Sequence, residues 1–153
     1  MTFEAIMNYV DNYIEYEDVY AMLKELDIDI CYDDDMVQQG YARIYSGVVG
    51  NCLFIKTNLE PAFEQFLILH ELAHFILHRG TCTLFTSSSK LEYEANMFAC
   101  LWLIKNQIDT AMYYDIYLLE QAVPERIISS FQDSLFQYRQ AKKYKNSWYR
   151  MEC

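Results

Sequence analysis

His70 and His74 stand four residues apart, with Glu71 directly after the first, inside the run FLILHELAHFILHRG that holds all three histidines of the chain. On an α-helix, residues four apart share a face about 6 Å along the axis, so two imidazoles can aim nitrogens at one metal ion. Glu71 falls roughly 100° further round, close to such an ion without being stacked on its ligands. From there a carboxylate can take a proton from an activated water and pass it to a leaving amine. Zinc suits this chemistry because it lowers the pKa of a bound water to about 7. The competing reading is a buried helix that carries polar residues by chance. Its apolar neighbours, among them Phe66, Ile68, Leu69, Leu72 and Ile76, weigh against that, since charge buried without a partner is costly.

His78 extends the series but cannot complete the site. Eight helical residues span about 12 Å, whereas ligand nitrogens lie about 2 Å from zinc. His78 is therefore expected to cap or pack at the helix end, and the third ligand must come from elsewhere. No other histidine exists and the five cysteines are scattered, which favours a carboxylate. The following helix offers Glu92 and Glu94. Phase favours Glu92, which shares a face with Ala95, Asn96 and Ala99, and leaves Glu94, about 200° away, as the alternative. Asn96, four residues beyond Glu92, is placed to hydrogen-bond a ligand imidazole, a recurrent need of metal histidines.

The elements that must position these residues follow from periodicity. Apolar spacings of three and four over residues 2–26 predict one or two amphipathic helices with an acidic outer face. Residues 28–56 change to short β-branched and aromatic runs, IDICY, YARIYSGVV and CLFIKT, read as three strands, the last two a hairpin through Gly50-Asn51. A helix is expected from near Asn58 or Glu60, with Pro61 in its first turn, to Arg79-Gly80, where Arg79 complements the helix dipole. After the loop GTCTLFTSSSK, helical spacing resumes over 90–105, and two more helices over 109–140 break before Pro124. With no repeat and no linker, 1–153 is expected to be one α+β domain.

Composition narrows the function. Residues 1–35 hold eleven acidic side chains against Lys24 alone, which equals the net charge of -10 of the whole chain. Such a surface repels phosphate backbones and attracts basic proteins, so direct nucleic-acid binding is disfavoured. The last fifteen residues are basic, and for both charge runs the plainer account is solubility. The odd cysteine count, without a CxxC pair or a signal-peptide pattern, predicts reduced thiols in a cytoplasm, and no apolar window reaches the roughly 20 residues of a membrane span.

The segments TNLEPAFEQFLILHELAHFILHRG and LEYEANMFA, following a strand, together resemble the ImmA/IrrE family of small metallopeptidase-like domains, over residues 28–104. LLEQAVPERIISSF is similar to the helix pair that ends them. HELAH followed by E-x-x-A-N-x-F-A is far more specific than HExxH alone. The resemblance implies a zincin-like fold, with a small antiparallel sheet of about three strands packed on the HExxH helix. It implies His70, His74 and Glu92 as zinc ligands and Glu71 as the base. It also implies a function: cleavage of a helix-turn-helix repressor, releasing phage or mobile-element genes. After ANMFAC, where members continue to a Leu-Leu-Met-Pro-like segment, this chain has LWLIKNQID.

Two functions of different class are thus expected: a zinc endopeptidase acting on a repressor-type protein, or a non-proteolytic antirepressor or toxin-antitoxin-type module that keeps the metal for structure. For the first, a donor to the developing oxyanion is needed, and the sequence does not single one out among Arg79 and the tyrosines.

Overall fold

Thr2 and Asp18 each start a helix by the same device. Thr2 Oγ1 accepts the Ala5 amide at 3.1 Å and Asp18 Oδ1 accepts the Ala21 amide at 2.8 Å, satisfying donors that a first helical turn leaves unpaired. In the computed structural model, which describes residues 1–36, 41–79, 88–105 and 113–151 without side chains from 146 on, these helices are α1 (Phe3–Asp11) and α2 (Val19–Glu25). Ile6, Val10, Val19, Met22 and Leu23 turn inward, and Glu4, Asp11, Glu15, Glu17 and Glu25 outward. Removing the Asp18 cap by Asp18→Ala is expected to cost about 1 kcal/mol in a denaturant melt, and an unchanged midpoint would deny the cap its role.

Three strands follow, β1 (Ile28–Asp33), β2 (Ala42–Gly47) and β3 (Gly50–Lys56), in the order β1-β3-β2. The β2–β3 pair is antiparallel, but β1 lies parallel to β3, so the sheet is mixed rather than antiparallel as expected. The reason is topological: β3 inserts between the two earlier strands, and alternating polarity reads the same in either strand direction. The hairpin turn is also displaced from Gly50-Asn51. Gly47 pairs with Gly50, the fully exposed Val48 and Val49 form the tip, and Gly50 takes a φ of 139°, which a side chain would disfavour. One face of the sheet carries Ile28, Ile30, Ala42, Ile44, Leu53 and Ile55 to the core, while Arg43, Tyr45 and Phe54 lie on the other.

Helix α3 runs over Pro61–His78, with Glu60 at its N-cap and Pro61 in the first position, where a missing N–H costs nothing. A hydrogen bond from the Tyr20 hydroxyl to the Glu64 carboxylate ties its first turn to α2. Helix α4 (Ser88–Ile104) is the centre of the molecule, buried without interruption from Met97 to Ile104. Its end is fixed to the α1–α2 connection by Trp102 Nε1–H donating to the Tyr13 carbonyl at 2.9 Å and Lys105 Nζ to the Tyr16 carbonyl at 3.2 Å. Helices α5 (Tyr114–Glu120) and α6 (Glu125–Met151) close the core through Leu118, Ile127, Ile128, Phe131 and Leu135. Apolar periodicity predicted an end near residue 140; α6 continues to Met151 on strong helix formers such as Gln, Ala and Lys. Of the expected loop 80–90, residues 88–90 already belong to α4, and 80–87 lie outside the described residues, as does the start of the helix expected at 109.

Among the described residues Cys31, Cys52 and Cys100 are free thiols. No described helix is long and apolar enough to cross a membrane.

Candidate metal centre

The site is made by two packed helices. Ile68, Leu69, Leu72 and Ala73 bury one side of α3 in the core with Ala95, Phe98 and Ala99 of α4. That packing leaves the half-buried His70 and His74 beside Glu92 at the rim. His70 Nε2 lies 3.0 Å from Glu92 Oε2, His74 Nε2 lies 2.9 Å from Glu92 Oε1, and the two Nε2 atoms are 3.1 Å apart. The structure thus brings together His70, His74 and Glu92, whose ligand atoms all lie within 4.8 Å of one another.

These residues fit a zinc ion. Donors about 2.0–2.1 Å from a tetrahedral ion stand about 3.3 Å apart, close to the 3.1 Å between the two imidazole nitrogens, each of which faces a different Glu92 oxygen, and two imidazoles with one carboxylate form a hydrolytic zinc donor set. Further support comes from behind the ligands. His70 Nδ1–H donates to Asn96 Oδ1 at 2.9 Å, which makes Nε2 the nitrogen that would give up its proton to a metal. The Asn96 partnership is the one that helix phase anticipated.

Electrostatics separate the four titrating groups. Hydrogen bonding from His70, helped by the charge of both histidines against a desolvation cost, holds the Glu92 carboxyl down to about 2. Burial works to lower the His70 pKa, but the Glu92 hydrogen bond and the Glu92 and Glu71 charges outweigh it and move it upward. Burial, then the charge of His70, lowers His74. Glu71 goes the other way: burial raises its carboxyl, against the opposing pull of His70, the Ile44 amide and Arg43. The Glu71 carboxyl thus faces the Ile44 amide of β2, an edge strand of the sheet.

Glu94 does not join the ligand cluster. It is 3% exposed and turned to the interior side of α4, 3.7 Å from His78 and 3.5 Å from the amino group of Met1. His78 also stays outside the cluster, as helix geometry required, yet it is more than a helix cap: its Nδ1 lies 2.9 Å from His74 Nδ1. The spacing of His74 and His78, again four residues, was the available signal for that contact. Arg79, expected at the helix dipole or at a reacting carbonyl, rests over the Phe75 ring at 4.7 Å.

The family model of the IrrE N-terminal-like domain, peptidase M78, matches residues 23–140. The chain belongs to that family. The matched span runs from the end of α2 into α6 and contains the whole His70–His74–Glu92 cluster. Family membership makes the function metallopeptidase-type, and the α+β architecture, six helices and a small sheet among the described residues, agrees with the zincin-like family fold. A search of curated proteins found no match.

Glu92→Ala is expected to weaken zinc binding by more than ~100-fold, beyond the loss usual for partners one step further from the metal. Competition against a chelating dye measures it. Wild-type affinity in Glu92→Ala would remove Glu92 from the ligand set.

Proposed function

We propose that the chain is a gluzincin-like zinc endopeptidase that cuts a helix-turn-helix repressor protein and so acts as an antirepressor in a phage or mobile element. The observation that carries this reading is the convergence of His70, His74 and Glu92 with the Glu71 carboxyl on the same helix, against an edge strand. A zinc ion held by the three ligands supplies Lewis acidity for polarising a peptide carbonyl and activating water.

The remaining roles belong to the chain itself. Glu71, with its proton affinity raised by burial, accepts the proton of the attacking water on its carboxylate and hands it to the departing amine nitrogen. Asn96 keeps the His70 proton on Nδ1. The Tyr41–Lys56 hydrogen bond sets the β2–β3 alternation, which points the backbone groups of Ala42, Ile44 and Ser46 away from β3. An extended substrate segment can align along that edge beside Glu71, with main-chain hydrogen bonds holding it. The acidic surface of α1 and α2 favours encounter with a basic DNA-binding protein and disfavours nucleic acid itself. Free thiols at Cys31, Cys52 and Cys100 suit the reducing cytoplasm where such repressors work.

The test is to incubate zinc-loaded protein with a purified helix-turn-helix repressor encoded beside it. Two fragments sharing one new N-terminus, absent with chelator, are expected. Recovery of intact repressor in a stoichiometric complex would overturn proteolysis in favour of a binding module that keeps its metal for structure.

A further inference from the structure

The rear of the His74 imidazole is held by a second histidine, and that histidine by a buried carboxylate. His74 Nδ1 and His78 Nδ1 are 2.9 Å apart, and His78 Nε2 lies 3.7 Å from Glu94 Oε1, with both side chains at most 8% exposed. Two nitrogens that close can share only one proton. If His74 offers Nε2 to the metal, its proton must sit on Nδ1, and His78 Nδ1 must then be the acceptor. The His78 proton is thereby forced onto Nε2, the atom that faces Glu94. His78 Nε2 is buried and makes no hydrogen bond, so the Glu94 carboxylate at 3.7 Å is the charged group it faces, while the other Glu94 oxygen faces the Met1 amino group at 3.5 Å.

From this geometry we propose that His78 and Glu94 are positioning residues for His74: His78 fixes the ring orientation and tautomer of the ligand by accepting its Nδ1 proton, and Glu94 fixes the tautomer of His78. This rests on the reading of His70, His74 and Glu92 as ligands, and supplies for His74 what Asn96 supplies for His70. The two supports differ in kind. Asn96 is a single acceptor on α4, whereas the His74 support runs along α3 and crosses to α4 at Glu94, so the same two helices are joined on both sides of the ligands.

The test reads zinc affinity, by competition with a chelating dye, and not activity. His78→Phe keeps a ring of similar size without the acceptor and is expected to bind zinc 10–100-fold more weakly than wild type, the usual loss for such partners. His78→Asn, whose amide oxygen can take the place of Nδ1, is expected to recover most of that loss. Glu94→Gln is expected to fall between them. In zinc-loaded wild type, long-range proton–nitrogen NMR is expected to show His78 protonated on Nε2; a proton on Nδ1 overturns the proposal without recourse to any variant. Wild-type affinity in folded His78→Phe overturns it as well, while leaving the three ligands in place. Failure of wild type itself to take up zinc overturns the ligand reading and this inference together.

Discussion

Under the proposed function, Glu71→Gln is expected to bind zinc as wild type does and to cut a helix-turn-helix repressor about 10²–10⁴-fold more slowly, the range associated with general acid–base catalysis. The substitution is close to isosteric, and its amide oxygen can still face the Ile44 amide of β2 as the carboxylate does. Geometry is therefore preserved while the capacity to carry a proton is lost. Glu71 is also absent from the ligand cluster, so metal uptake has no reason to change. The two readouts must separate: a chelator competition unchanged, and a cleavage time course that is nearly flat. Cleavage at the wild-type rate by zinc-loaded Glu71→Gln would remove Glu71 from the mechanism. Loss of zinc with activity would instead mean that Glu71 holds the site together.

Phe98→Ala is expected to cost about 3–5 kcal/mol, because truncating a large buried ring removes both transfer energy and packing partners. Phe98 is fully buried in α4, where Tyr13 meets it edge-on at 6.2 Å between ring centroids. It lies six residues beyond Glu92, on the helix that also carries Asn96 and Glu94. Domains are stable by only about 5–15 kcal/mol, so this single change removes a large share. A denaturant melt checks it, and a loss below about 1 kcal/mol would show that the core collapses around the gap. Zinc affinity should fall with stability here, in contrast to Glu71→Gln, because the helix bearing one ligand is loosened.

The cluster of His70, His74 and Glu92 was legible because helical phase is a strong constraint. Glu92 and Asn96 follow from a 100° step per residue, and so does the exclusion of His78 as a ligand of the same ion as His70. What phase cannot convey is which side of α4 meets which neighbour. Glu94 was placed correctly opposite Glu92, but its burial against His78 depends on how α3 and α4 cross, which is a property of packing rather than of either sequence. The sheet failed in the same sense. Strand positions were clear from alternation, but whether β1 runs with or against β3 is decided by the strand inserted between them. The turn at Val48-Val49 was hidden because two β-branched residues read as strand, and only the flanking glycines mark it. The tail of α6 outran its apolar pattern because helix propensity extends where no core contact is needed.

The site joins α3 to α4 only through side chains, His70 and His74 from one and Glu92 from the other. An ion gripping all three is thus a clasp between two core elements as well as a reagent. Anything that binds the native chain and not the unfolded one shifts the folding equilibrium by mass action, by about 2.7 kcal/mol at a hundredfold excess over its dissociation constant. If that site holds its metal as proposed, the lifetime of the folded chain is coupled to the metal supply of its surroundings: metal starvation would weaken the persistence of the fold together with the proposed chemistry.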